Sequence, residues 1–203
     1  MISPSLISKL RRISDPVPQV IPEKCDFCGK IIPPDHRHLV DLTSLKFMCA
    51  CELCSVVQAV VGVYKPLPQR FLRLNDFQLS DELWSDFMIP VNMAFFVFSS
   101  LRKGTVAYYP APTGATESKL KLEAWEKLEQ LNPVLKSLVP DLEGLLINRI
   151  DSSPLYYIVP IDSCYKLIGM IRNSWQGLFG GSGTKVTTRK FFDELSERSS
   201  CQI

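Results

Sequence analysis

Five cysteines within residues 25–54, Cys25, Cys28, Cys49, Cys51 and Cys54, constrain this chain more than any other feature. In a reducing compartment, clustered CxxC pairs bind metal or do redox chemistry rather than build a disulfide framework. The first half reads Cys25-Asp26-Phe27-Cys28-Gly29-Lys30, two thiols three residues apart across a tight turn, with a glycine that lets the chain bend beneath an ion. The second half, Cys49-Ala50-Cys51-Glu52-Leu53-Cys54, contains another CxxC. Four thiolates in a tetrahedron suit zinc, and structural zinc sites are closed in this way. The same set accepts iron. Cys25, Cys28, Cys51 and Cys54 are therefore the expected ligands. Cys49 is either an alternative ligand or a strand residue beside the site.

His36 and His38 are the only histidines in the chain. Alternation in an extended segment places both on one face, where they could stand around the ligands or replace one, or simply give a hairpin a polar surface. They are not expected as ligands. Arg37–Asp41 and Leu45–Met48 read as a hairpin around Leu42-Thr43-Ser44. The segment from Cys54 to Val63 reads as a helix, or as a strand given its valines. A helix gives a treble clef and a strand a zinc ribbon. The treble clef is the favoured of the two.

The rest of the chain is ordinary in bulk. Its 203 residues suffice for one domain with a small appendage, and 46% hydrophobic content supports a real core. The 23 basic and 21 acidic side chains nearly cancel, so no global field favours nucleic acid. The one basic cluster, Lys9-Leu10-Arg11-Arg12, reads as a solvated surface. No signal-peptide pattern and no apolar run long enough for a membrane span is visible, so a cytoplasmic protein is expected.

The expected fold class is α+β, a small treble-clef or zinc-ribbon-like metal module followed by a mixed α+β domain. Residues 1–22 read as a short helical start and a Pro-rich linker, 23–64 as the cysteine module, and 70–198 as the α+β domain. Lys65-Pro66-Leu67-Pro68 reads as a linker between them, because each proline removes a backbone donor and biases its predecessor to extended geometry. Val91–Ser99 and Thr105–Tyr109 flank Arg102-Lys103-Gly104 as a hairpin. Leu122, Trp125, Leu128 and Leu131 recur at helical spacing up to Pro133. Asn132-Pro133 and Pro140-Asp141 are expected to open short helical pieces ending near Arg149. Leu155–Val159 reads as a buried strand. Asp162 is an N-cap candidate for an amphipathic helix bearing Cys164, Leu167, Ile168, Ile171 and Trp175. A Gly-rich turn from Gly177 to Gly183 leads to a last helix with Phe191, Phe192 and Leu195.

Other candidate chemistry is weaker. Residues 108–118 read as a polar loop between strand and helix, whose Thr116 and Ser118 serve as helix caps and whose Glu117 could face a ligand. Gly180-Gly181-Ser182-Gly183 lacks any Walker or dinucleotide fingerprint and reads as a turn. Cys164, on an apolar helix face, reads as a buried thiol rather than a nucleophile. With both histidines in the metal module, Ser-His-Asp chemistry in the larger domain is not expected.

The strings Cys25-Asp26-Phe27-Cys28-Gly29, Asp35-His36-Arg37-His38-Leu39-Val40-Asp41-Leu42 and Cys49-Ala50-Cys51-Glu52-Leu53-Cys54 together resemble an uncharacterised bacterial family, classified only as a domain of unknown function. The likeness continues through Arg70-Phe71-Leu72-Arg73-Leu74, Tyr109-Pro110, Gly114-Ala115-Thr116-Glu117-Ser118, Leu122-Glu123-Ala124-Trp125, Val159-Pro160-Ile161-Asp162, Cys164-Tyr165, Trp175 and Gly180-Gly181, and so spans nearly the whole chain. The resemblance implies gene company rather than biochemistry, since members stand among accessory genes of nickel–iron hydrogenases. It implies a role in hydrogenase assembly or electron delivery, with a hydrogenase subunit or maturation factor as partner, and it supplies no active site. The expected function is a non-enzymatic zinc-binding accessory or adaptor protein. The alternatives are a rubredoxin-like iron-binding electron carrier serving a hydrogenase, and an enzyme with its site in the 109–118 loop. No nucleic acid and no small-molecule substrate is expected.

Overall fold

The computed structural model of the chain describes residues 22–119, 121–176 and 181–201. The N-terminal helical start and most of the first proline linker lie outside the described residues, as does Gly177–Gly180 of the Gly-rich turn.

The cysteine region folds as a three-stranded antiparallel sheet and one helix: β1 (Arg37–Asp41), β2 (Phe47–Ala50), α1 (Glu52–Val61) and β3 (Tyr64–Pro66), in the order β2-β1-β3. The expected hairpin is there, and the segment after the second cysteine pair is a helix. The Pro66 stretch, expected as a linker, is instead part of this sheet. Pro66 lies opposite Leu39 in β3, an edge strand, where a missing backbone donor on the outer side costs nothing. Leu67 beyond it is buried, and its N–H donates to the carbonyl of His38 at 3.0 Å.

The larger unit is a seven-stranded sheet in the order β10-β4-β9-β8-β5-β6-β7, with β4 (Leu72–Arg73), β5 (Met93–Ser99), β6 (Gly104–Ala111), β7 (Gly114–Glu117), β8 (Glu143–Asn148), β9 (Leu155–Pro160) and β10 (Ser200–Cys201). All pairings are antiparallel except β10 with β4. Helices α2 (Asp81–Asp86) and α3 (Leu122–Leu131), with a 3-10 turn at Pro133–Ser137, supply Trp84, Phe87, Trp125, Leu128 and Leu135 to the core on one face. Helices α4 (Ile161–Asn173) and α5 (Gly181–Arg198) cover the other with Cys164, Leu167, Ile168, Phe191 and Phe192. The protein is thus α+β.

Both faces of the central strands are covered, and the side chains alternate between two cores. Met93, Phe95 and Val97 of β5 enter the core under α4 and α5, while Ala94 and Phe96 enter the opposite one. Leu146 of β8 and Tyr157 and Val159 of β9 follow the first set, and Leu145, Ile147 and Ile158 the second. This corrects the expected helical piece after Pro140-Asp141. A strand buried on both sides is apolar at every position and carries no period of two to distinguish it from a buried helix. The segment 109–118 is likewise a hairpin of β6 and β7, not a loop leading into a helix. Thr116 is a strand residue, and the Ser118 hydroxyl donates to the carbonyl of Phe87 at 2.8 Å rather than capping a helix.

The two sheets share a core. Val40 of β1 and Leu67 belong to the cluster beneath α4 and α5, and Phe47 meets the ring of Tyr165 edge-on at 5.6 Å. Residues 38, 40, 47 and 49 share a face by strand alternation, and that face is turned toward α4.

Candidate metal centre

The first cysteine pair sits on a knuckle. Lys24 and Ile31 bridge as an isolated antiparallel pair, Cys25 N–H donates to the carbonyl of Lys30 and Gly29 N–H to that of Cys25, both at 2.9 Å. Gly29 has φ +72°, a left-handed conformation that glycine adopts without a Cβ penalty. The ring of Phe27 packs edge-on against Tyr64 of β3 at 5.2 Å and ties the knuckle to the sheet.

The second pair opens α1. Cys51 occupies the N-cap position with extended backbone, and Cys54 lies in the first turn. A helix start presents unpaired N–H groups and a partial positive charge, both of which favour a thiolate. Knuckle, hairpin and helix start bring the sulfur atoms of Cys25, Cys28, Cys51 and Cys54 within 4.8 Å of one another. The Cys28–Cys51 sulfurs are 3.8 Å apart. A tetrahedral ion with metal–sulfur bonds of about 2.3 Å requires sulfur pairs about 3.8 Å apart. The donor set and its spacing fit one soft or borderline ion. The layout is that of a treble clef.

The acidities agree with such a role. Burial raises the Cys25 thiol, but N–H groups of Cys51, Phe27 and Cys28 more than offset it and bring the thiol down to about 6. Cys54 is pushed up to about 12, first by its hydrogen bond with Cys51 and then by burial. Cys25 thus gives up its proton readily while Cys54 holds its own, and a bound cation would displace that proton.

Cys49 stands apart from this group. It lies on β2 directly opposite His38 on β1. The knuckle holds its backbone from both sides, with Asp26 N–H donating to the Cys49 carbonyl at 2.8 Å and Cys49 N–H donating to Asp26 Oδ2 at 2.6 Å. Burial, and then the charges of Asp26 and Glu23, raise its thiol. His36 and His38 come together edge-on at 4.6 Å, and one donor atom from each of His36, His38 and Cys49 lies within 4.8 Å of the others. His38 Nδ1 is 2.7 Å from Asp162 Oδ2, and this hydrogen bond raises the His38 pKa against the opposing effect of burial. Sequence reading made Asp162 an N-cap candidate; the helix is entered through Pro160, and Asp162 in the first turn reaches back to the hairpin. No sequence signal joins Asp162 to a histidine 124 positions away.

The remaining sites carry less. Cys164 is fully buried against Gly144 and its thiol is raised well above the usual range by burial, as a packed thiol should be. Glu117 is ion-paired with Arg102.

A family model described as Family of unknown function (DUF5947) matches residues 24–199. The chain belongs to the DUF5947 family. Neither a search of curated proteins nor one of solved structures found a match. The matched span covers both the cysteine region and the seven-stranded sheet of this DUF5947 protein. Among its described residues, no helix is long and apolar enough to cross a membrane.

Proposed function

We propose that this protein is a non-enzymatic, zinc-binding adaptor whose metal fixes a helix for docking to a protein partner. The observation that carries the reading is the outer face of α1. Leu53, Val56, Val57, Val60 and Val61 recur at the spacing of one helical stripe, and all are exposed, Leu53 by 78% and Val60 by 84%. Soluble proteins seldom leave so many contiguous large apolar side chains in water unless something binds them. Because Cys51 and Cys54 open this helix, an ion on the four sulfurs sets where the stripe points. The family resemblance names the partner class, a nickel–iron hydrogenase subunit or maturation factor. Zinc is the proposed ion, since four thiolates form a closed site with no position left for substrate.

The test uses the purified full chain and the hydrogenase subunits and maturation proteins of its native host. Binding to one of them is expected, and Val57→Asp/Val60→Asp is expected to abolish it while leaving metal content unchanged. Failure to bind any of them, or self-association through the same face, removes the reading. A second reading, an iron electron carrier, is favoured by the exposure of Cys28, which leaves one sulfur edge of the site at the surface. Elemental analysis and colour separate the two, since protein with iron on four thiolates is red and zinc protein is colourless.

A further inference from the structure

The hairpin carries a second constellation that the four-sulfur site does not use. His36, the residue before β1, stands with its ring 4.6 Å from that of His38, and antiparallel pairing puts Cys49 opposite His38. The tautomers of both rings follow from their partners. His36 Nδ1 lies 2.9 Å from the carbonyl oxygen of Pro33, which can only accept, so Nδ1 carries the proton. His38 Nδ1 faces the Asp162 carboxylate in the same way. In the neutral rings, each Nε2 therefore presents a lone pair. The His36 side chain is only 4% exposed, and its Nε2 is buried with no hydrogen-bond partner. A buried acceptor left unsatisfied costs free energy and calls for a water or an ion. A carboxylate or carbonyl behind Nδ1 is the usual support of a metal-binding imidazole, since it fixes ring orientation and makes Nε2 more basic.

We propose that His36, His38 and Cys49 hold a second ion, a late first-row divalent transition metal, in a three-ligand site with its fourth position open. Two imidazoles and a thiolate select zinc, cobalt, nickel or copper over magnesium and calcium. Donor atoms around a tetrahedral ion with such bond lengths stand about 3.3–3.8 Å apart, and one donor atom from each of the three residues already lies within 4.8 Å of the others. Two features distinguish this site from the four-sulfur one. It lies on the hairpin face turned toward α4, so the ion stiffens the seam between the two sheets through His38 and Asp162. A cavity of about 390 Å³ also adjoins its histidine side, lined by both histidines and Asp162 but not by Cys49, with Lys166 and Arg198 on its wall. A water or a small anion entering there can serve as the exchangeable fourth ligand.

The probe is cobalt(II) chloride, titrated into the reduced, metal-free full chain. Two ions per chain are expected. One gives the visible bands of tetrahedral four-thiolate cobalt, and the other a distinct spectrum with weaker thiolate-to-cobalt charge transfer. His36→Ala/His38→Ala is expected to bind one ion with the four-thiolate bands intact, and those bands also report that the hairpin has folded. Cys49→Ser is expected to remove the charge-transfer intensity of the second ion alone. Saturation of the wild type at one ion, or two ions still bound by the double histidine variant, overturns the proposal. If the variants fail to fold, X-ray absorption on the two-ion wild type decides: nitrogen scattering that averages about one imidazole per cobalt, two per chain, supports the site, and all-sulfur coordination overturns it.

Discussion

Removing the Arg70 guanidinium tests how dry the interior is where the chain passes from the small sheet to the large one. Glu143, at the start of central strand β8, is 1% exposed. Its carboxylate takes Arg70 Nε at 2.9 Å and Nη2 at 2.6 Å, and Val139 N–H at 3.0 Å. Arg70 also donates to the Ser137 carbonyl at 2.9 Å, while its own side chain remains 36% exposed. The pair is therefore asymmetric. Arg70→Met strands a dehydrated carboxylate with one remaining donor, and loss of one partner of a buried pair costs about 3–5 kcal/mol. Glu143→Gln leaves a cation that water already reaches and keeps an acceptor for Val139, so it should cost clearly less. Arg70→Met/Glu143→Gln should recover much of the loss, because the uncompensated charge is gone. Urea unfolding at neutral pH, followed by fluorescence of the buried Trp84 and Trp125, measures all three. The melting temperature of Arg70→Met should fall by on the order of 10 °C. A cost below about 1 kcal/mol, the range of surface pairs, would mean that water reaches Glu143 and that the argument from burial fails.

Stripping the metal with a strong chelator under reducing conditions should first expose the amides of residues 24–63 to hydrogen exchange. The amides of Leu145, Leu146 and Ile147 should keep their protection, since their core does not contain the four sulfurs. Gly144→Ala should destabilise by about 1–3 kcal/mol in the same urea assay, because a Cβ there would stand 3.2 Å from Cys164 Sγ and 3.3 Å from the Phe96 carbonyl oxygen. The hydroxyl and N–H of Thr43, and then the Ser44 hydroxyl, hold the Asp41 carboxyl down to about 2. With its folded pKa depressed, Asp41 stabilises the β1–β2 turn above the ordinary carboxylate range, and that contribution is lost as pH falls through about 2. An NMR titration should show Thr43→Ala moving the Asp41 midpoint upward, and an unmoved midpoint refutes the assignment.

Much of this architecture was legible because its determinants are local. Two CxxC pairs at this separation announce four thiols for one ion, and the hairpin between them is visible in its apolar stretches and turn residues. The helices bearing Trp125 and Leu128, and Leu167 and Ile168, show one apolar face each, which is the pattern that periodicity detects. The errors have an equally physical origin. Residues 143–148 are buried on both sides, so the alternation that marks a strand is absent from the sequence. Pro66 removes a donor in any context, and only its position on an edge strand shows that the sheet does not need that donor. Thr116 and Ser118 have the chemistry of helix caps, but residues 114–117 pair with β6 before any helix begins.

By itself, then, the sequence of the cysteine region determined a four-thiol group able to hold an ion, because the spacing of donors along a short chain limits where they can meet, while the helix after Cys51 decided the treble clef over the ribbon. Tertiary structure alone decided the neighbouring arrangement. Sequence left Cys49 as an alternative ligand or a mere strand residue, and His36 and His38 as neighbours of the ligands or a polar hairpin surface, until pairing set Cys49 opposite His38 and α4 brought Asp162 behind its ring. Such a meeting depends on two sheets sharing one core. It therefore rests on contacts between residues far apart in the chain, which local spacing does not encode.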